Sequence, residues 1–312
     1  MTSTAQALLE AQSRGLDRLD AQLLLLHALG RAPHDRAWLL AHDTDALPPA
    51  VQATFDALVQ RRSGGEPLAY LTGHKEFFGL DLQIDARVLV PRPDTETLVE
   101  WALEVLDEAS VRSNPALPDA RDTAEPALPG RWYRPLEGEA PQALRGGGIS
   151  VIDLGTGSGA VALALKHARP GLQVSATDAS ADALQVAQAN AQRLGLAIEF
   201  IQGSWLTPIE GRYHAIVSNP PYIAAQDRHL MDLTHEPLQA LASGDDGLDD
   251  IRPIIAQARA HLHPGGWLLL EHGYDQAESV RALLSGAGFE EVQSRLDLSG
   301  IERCSGGRAP RA

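Results

Sequence analysis

Apolar residues in the first 75 positions recur at three- and four-residue steps: Leu8-Leu9, Leu16, Leu19 and Leu23 to Leu26, then Trp38, Leu39, Phe55, Leu58 and Val59. That is the period of one helix face. Pro33 and Pro48-Pro49 fall between the stretches, where they end or start helices. Residues 1–75 are therefore expected to form a helical domain, either a small bundle packed on the rest of the chain or a module that recognises a partner. From Phe77 to Val90 the pattern switches to alternation (Phe78, Leu80, Leu82, Ile84, Val88, Val90), which predicts a β-hairpin joining two domains. Pro91-Arg92-Pro93-Asp94 follows, with Asp94 or Thr95 placed to cap a helix through Leu98, Val99, Leu103 and Leu106. Hairpin and connecting helix occupy residues 76–106.

Residues 107–148 break the pattern. They hold six of the 20 prolines, end in Gly146-Gly147-Gly148 and show no apolar period, which predicts a poorly ordered insertion. From Ile149 to the end (149–312) short apolar runs alternate with helical periods. Strands are expected at Ile149–Leu154, Leu172–Thr177, Ile198–Ile201, Tyr213–Ser218, Trp267–Glu271 and Phe289–Arg295, with helices at Ala160–Ala168, Ala181–Leu194, Ile251–Leu262 and Asp275–Ala287. Strands spaced by helices make an α/β fold with a mainly parallel sheet, whose ligands bind at the carboxyl ends of the strands.

The chain has 312 residues, enough for two domains. Its one cysteine, Cys304, excludes an intramolecular disulfide and any CxxC zinc or redox motif, and suits a reducing, cytoplasmic compartment. Neither a secretory signal nor a membrane-spanning run is expected, since the longest aliphatic run is Leu23 to Leu26. The net charge is −15 and all but two of the 26 basic residues are arginine. Long nucleic acids normally need a basic face, so this balance counts against them. The 11 histidines form no HExxH, and neither GxSxG nor a P-loop occurs. No metal is expected.

After the strand Ile149–Leu154 stands Asp153-Leu154-Gly155-Thr156-Gly157-Ser158-Gly159-Ala160. Alternate glycines permit a tight turn and close approach of a ligand to the backbone, and the next helix points free N–H groups at it. Asp178 ends the following strand, where a carboxylate can accept both hydroxyls of a ribose. Its structural alternative is capping the next helix, and for Asp153 it is organising the glycine loop. These residues imply an adenosine-type site without separating NAD from S-adenosylmethionine.

Asn219-Pro220-Pro221-Tyr222 separates them. It follows the strand Tyr213–Ser218, at the same sheet edge as the glycine loop. The prolines stiffen the loop, so that the asparagine side-chain oxygen and the Pro220 carbonyl can accept two hydrogen bonds from one planar –NH2 group. The Tyr222 ring offers a face for a planar amide or base. An amide nitrogen is a poor nucleophile because its lone pair is delocalised. Two acceptors orient it and stabilise the positive charge that develops as a methyl group arrives.

With the glycine loop, this tetrapeptide resembles the amino-methyltransferases that use S-adenosylmethionine. Tyr70 to Gly73, Glu76-Phe77, Val90 to Glu96, Glu236-Pro237 and Leu270 to Gly273 make the resemblance closer, to the release-factor glutamine methyltransferases of the PrmC/HemK family. That resemblance covers most of residues 60 to 300 and implies a Rossmann-like class I methyltransferase fold: a mainly parallel seven-stranded sheet with a small N-terminal helical domain for substrate recognition. It implies S-adenosyl-L-methionine at Asp153, Gly155, Thr156, Gly157, Ser158, Gly159, Asp178, Trp205 and Asn219, with Trp205 near the adenine. It places substrate at Asn219, Pro220, Pro221 and Tyr222, with Asn219, Pro220 and Tyr222 catalytic. The implied reaction is methylation on N5 of the glutamine in the Gly-Gly-Gln loop of class 1 peptide chain release factors, by a monomer that touches neither membrane nor nucleic acid. The alternatives are a ribosomal-protein glutamine methyltransferase, an adenine or guanine N-methyltransferase on nucleic acid, and a binding module without catalysis. The insertion departs from the family's shorter connection, and the C-terminal Cys304 to Arg308 matches the family's end only loosely and is assigned no role.

Overall fold

The computed structural model describes residues 2–113 and 148–311. The interior of the 107–148 insertion lies outside the described residues. The chain divides into two compact units, residues 1–74 with 84–86, and residues 75–83 with 87–312. Among the described residues no helix is long and apolar enough to cross a membrane.

The first unit is built from α1 (Thr4–Ser13), α2 (Arg18–Ala28), α3 (Arg36–Ala41), α4 (Pro49–Ser63) and α5 (Leu68–Thr72). Local signals set the boundaries. Ser3 and Asp17 cap α1 and α2 through side-chain oxygens that accept from Gln6 N and Leu19 N, and Pro49 occupies the first position of α4, where no N–H is needed. Ala7, Ala11, Leu24, Leu25, Leu26, Leu39, Phe55, Val59 and Leu71 close the core. Leu9 and Leu19, which share the helical period, face outward instead.

Strands β1 (His74–Phe77) and β2 (Leu80–Gln83), all but His74 in the second unit, form a hairpin with a two-residue turn. The ladder stops at Gln83. Val88 and Val90 continue the apolar alternation and are buried, but they lie outside any strand. After a 3₁₀ turn at Pro93–Thr95, α6 runs from Glu96 to Ser113. It passes Asp107, where the sequence pattern suggested an insertion begins, because Ala109 and Ser110 continue its buried stripe and Asp107 pairs with Arg169 at 2.6 Å.

The sheet comprises β3 (Ser150–Leu154), β4 (Gln173–Asp178), β5 (Glu199–Gln202), β6 (Tyr213–Ser218), β7 (Leu262–Glu271), β8 (Glu290–Leu296) and β9 (Glu302–Arg308), in the order β5-β4-β3-β6-β7-β9-β8. The first five strands are parallel, and β9 runs antiparallel between β7 and β8. Helices α7 (Ala160–Ala168), α8 (Ala181–Leu194), α9 (Ile251–Ala258) and α10 (Ala277–Gly286) supply the crossovers. Ile152, Leu154, Ile216, Leu268 and Leu270 bury one sheet face against Ile251, Ile254, Val280 and Leu284. Two details depart from expectation. Strand β7 begins at Leu262, absorbing Pro264-Gly265-Gly266 as an irregularity between the pairs Tyr213↔Leu262 and Ala215↔Trp267. Cys304 to Arg308, assigned no role from sequence, is the strand that completes the sheet. Its glycines are needed there, because a Cβ at Gly306 would lie 2.6 Å from Leu269 and 2.8 Å from the Trp101 ring.

Candidate active site

Strand order reverses direction at β3, which has β4 on one side and β6 on the other. Such a switch point opens a crevice at the carboxyl ends of the strands. Register fixes what meets there. Leu154 pairs with Thr177 and Ser218, and Ser218 pairs with Leu270. The next residues along the four strands are Gly155, Asp178, Asn219 and Glu271, so four distant segments converge on one edge.

A cavity of about 500 Å³ lies at this edge, lined by Gly155, Gly157, Asp178, Trp205, Asn219 and Pro221, together with Arg87 to Leu89, Ser204, Gln239 and others. Its size suits a small-molecule ligand. Gly155, Gly157 and Gly159 adopt φ of 70°, 55° and 84°, which only glycine enters freely. A Cβ at Gly155 would stand 3.1 Å from the Trp205 ring, so backbone and indole form adjoining walls. Trp205 itself has a φ of 50°, a conformation uncommon for a bulky residue, and its carbonyl accepts from the Thr177 hydroxyl at 3.3 Å.

Two carboxylates organise the loop from opposite sides. Asp153 is buried and does not line the cavity. Its Oδ2 accepts from the Thr156 hydroxyl at 2.7 Å and from Ala162 N at 3.2 Å, tying the loop to the first turn of α7. Burial pushes its carboxyl up to about 7, against the pull of those two donors. Asp178 reaches the cavity. One oxygen accepts from Gly157 N and the other from Ser180 N, both at 2.9 Å, while Ser180 caps α8. Burial raises its carboxyl too, and the two N–H groups oppose the shift.

The Asn219 side chain is held by its nitrogen: Nδ2 donates to the Thr95 hydroxyl at 3.1 Å, leaving Oδ1 unengaged among the described residues. Pro221 lines the cavity, whereas Pro220 is buried behind it. Tyr222 directs its hydroxyl to Glu271 Oε1 at 3.4 Å, and its carbonyl accepts from Gln276 Nε2 at 3.0 Å. Of the residues singled out from sequence, Gly155, Gly157, Asp178, Trp205, Asn219 and Pro221 meet in the cavity. Asp153, Thr156, Ser158, Gly159, Pro220 and Tyr222 stand outside its lining, where Asp153, Thr156 and Tyr222 brace the loops.

The sequence pattern gives Thr95 only a capping role and gives Arg92 and Glu236 none. Glu236, 2% exposed, accepts from Val90 N at 3.1 Å and pairs with Arg92, anchoring the segment that delivers Thr95. The available signal was the dense motif Val90 to Glu96, but its partners lie more than 120 residues away in the chain.

The matches to known proteins agree with this geometry. Residues 1–73 match the family model described as PrmC N-terminal domain, and residues 142–246 match the methyltransferase small domain. The release factor glutamine methyltransferase of Bordetella pertussis is 46% identical over 94% of this chain and 95% of its own length. The protein of that name from Xylella fastidiosa is 45% identical over 97% and 98%. Among solved structures, the hMettl16 catalytic domain in complex with the MAT2A 3'UTR hairpin 6 superposes with a TM-score of 0.52 at 15% identity, covering 80% of this chain and 81% of that one, a likeness of fold alone. Identity at this level, sustained over nearly the whole of both chains and joined to a sheet edge that gathers glycine loop, Asp178 and Asn219, places the chain in the release factor glutamine methyltransferase family.

Proposed function

We propose that this protein transfers a methyl group from S-adenosyl-L-methionine to the N5 amide nitrogen of the glutamine in the Gly-Gly-Gln loop of class 1 peptide chain release factors. The observation that carries the reading is the position of Asn219, whose nitrogen is tied back to Thr95 while its side chain lines the cavity shared by Gly155, Gly157 and Asp178. When bound, the cosubstrate supplies an electrophilic methyl on a sulfonium. The residues present fit it. Asp178 stands at the wall with lone pairs to accept ribose hydroxyls, the backbone of Gly155 and Gly157 permits close approach, and the Trp205 ring offers an apolar surface for the adenine. Asp178 and Asp250 line the same cavity, as does Arg87.

Asn219 Oδ1 and the Pro220 carbonyl accept the two N–H groups of the target amide. They orient its nitrogen and stabilise charge as it builds there. Preorganised acceptors of this kind typically contribute about 10²–10³-fold in rate. The proton leaves afterwards, so no strong base is required. The helical residues 1–75 serve recognition of the protein substrate.

The test is incubation with labelled S-adenosylmethionine and, in parallel, a release factor, its Gln→Ala variant, a ribosomal protein bearing an exposed glutamine, and duplex DNA. Label on the release factor and not on its variant supports the reading. Label on DNA, or on the variant, contradicts it.

A further inference from the structure

Gln276 stands immediately before α10 and joins three loops through its side-chain amide. Oε1 accepts from Gly273 N at 2.8 Å, in the turn that follows β7. Nε2 donates to the Tyr222 carbonyl at 3.0 Å and to the Asp246 carbonyl at 3.2 Å. A backbone N–H can only donate and a carbonyl can only accept, so turning this amide by 180° would break all three bonds. Packing reinforces the arrangement. Gly247, with a φ of 73°, lies against the same two groups. A Cβ there would collide with the Tyr222 carbonyl oxygen and stand 2.5 Å from Gln276 Nε2.

The group held in this way closes the reactive loop. Asn219 follows directly on the β6 ladder, whose last pair is Ser218↔Leu270, so the entry to Asn219-Pro220-Pro221-Tyr222 is fixed by the sheet. The exit is fixed by Gln276 at the Tyr222 carbonyl and, one residue on, by the bridge between Ile223 and Ala242. Between these anchors the rings of Pro220 and Pro221 lock two φ angles. Few dihedrals remain through which the Pro220 carbonyl or the Asn219 side chain could drift. Release of the Tyr222 carbonyl would return that freedom at the point nearest the two acceptors.

Resting on the amide-transfer reading, we propose that Gln276 is a positioning residue that clamps the Tyr222 carbonyl to the turns at Gly273 and Asp246, and so holds Asn219 Oδ1 and the Pro220 carbonyl where both meet the target –NH2. Gln276 lies outside the cavity lining, so its effect falls on the rate of transfer rather than on cofactor affinity. A displacement of about 1 Å in groups that align the reacting atoms can cost about 10²-fold.

Single-turnover methylation of a release factor, saturated with S-adenosylmethionine, tests the assignment. Cofactor affinity by calorimetry and a melting temperature accompany each variant. Gln276→Met keeps the reach of the side chain and removes the amide; its rate should fall about 10–100-fold. Its dissociation constant for the cofactor and its half-saturating release-factor concentration should stay within about threefold of wild type, the split expected when alignment and not binding is lost. Gln276→Glu keeps an acceptor for Gly273 N but sets a carboxylate against two carbonyl oxygens, so it should be the slower of the two. Gly247→Ala reaches the same contact from the other side and should slow transfer with the same split. Gln276→Met within about twofold of the wild-type rate overturns the inference, as does a loss of cofactor affinity as large as the loss of rate. If neither Gln276 variant folds, Gly247→Ala decides by the same criteria. Wild-type enzyme that leaves the release factor unlabelled, or labels its Gln→Ala variant, removes the amide-transfer reading and this inference with it. Normal wild-type transfer with unaffected variants removes only the inference.

Discussion

Asp178 is fixed before any ligand arrives, because Gly157 N and Ser180 N each hold one of its oxygens at 2.9 Å. A carboxylate oxygen has a second lone pair, so a ribose diol can be accepted without breaking either bond. Asp178→Ala should therefore raise the dissociation constant for S-adenosylmethionine by one to two decades, roughly 1.4–3 kcal/mol for lost charge-assisted hydrogen bonds. Asp178→Asn keeps one acceptor oxygen and should fall between alanine and wild type. Calorimetry that finds unchanged affinity in a folded alanine variant would contradict the ribose assignment. Asp153 has a different fate. Its two donors, the Thr156 hydroxyl and Ala162 N, both converge on Oδ2, so Asp153→Asn can keep both bonds through its single carbonyl oxygen.

Among the elements, the parallel strands and their helices were legible because each carries its own period: alternate burial or continuous apolar runs bounded by Gly and Asp. The ribbon from Phe77 to Val90 was legible as alternation, yet its ladder ends at Gln83, since burial of Val88 and Val90 does not require a strand partner. Strand β9 was not legible. Cys304 to Arg308 is assigned nothing from the sequence, and what makes it a strand is pairing with β7 and β8 under the Trp101 ring, contacts that no local pattern announces. Thr95 was missed for the same reason: its partner Asn219 lies 124 residues away. The packing at β9 makes a prediction. Gly306→Ala places a methyl against Leu269, the Leu268 carbonyl and Trp101, all within 2.8 Å, so stability should drop by about 1–3 kcal/mol. Urea unfolding reads this as a lower midpoint at unchanged slope. A midpoint equal to wild type would show that β9 is packed more loosely than described.

Two buried carboxyls, Asp153 and Glu271, tie the stability of the whole molecule to pH. Each is pushed up to about 7 in the folded protein, while an unfolded chain returns them to about 4. Between those values the folded state binds the extra protons. Their contribution to stability is complete below about 4 and is lost as pH rises through about 7. Asp153→Asn cannot titrate, so its stability relative to wild type should improve from pH 5 to pH 8. A difference that stays constant across that range would contradict the assigned shift. Above this thermodynamic frame stands the chemical claim that joins the sheet edge to the reaction: Asn219 accepts the amide that is methylated. Single-turnover methylation of a release factor by the wild type and by Asn219→Ala, both saturated with S-adenosylmethionine, tests it most directly. The alanine variant should lose at least ~10²-fold in rate while its affinities for cofactor and release factor change little, because most of the protein interface lies outside one glutamine. A wild-type rate in Asn219→Ala would contradict the assignment of the acceptor.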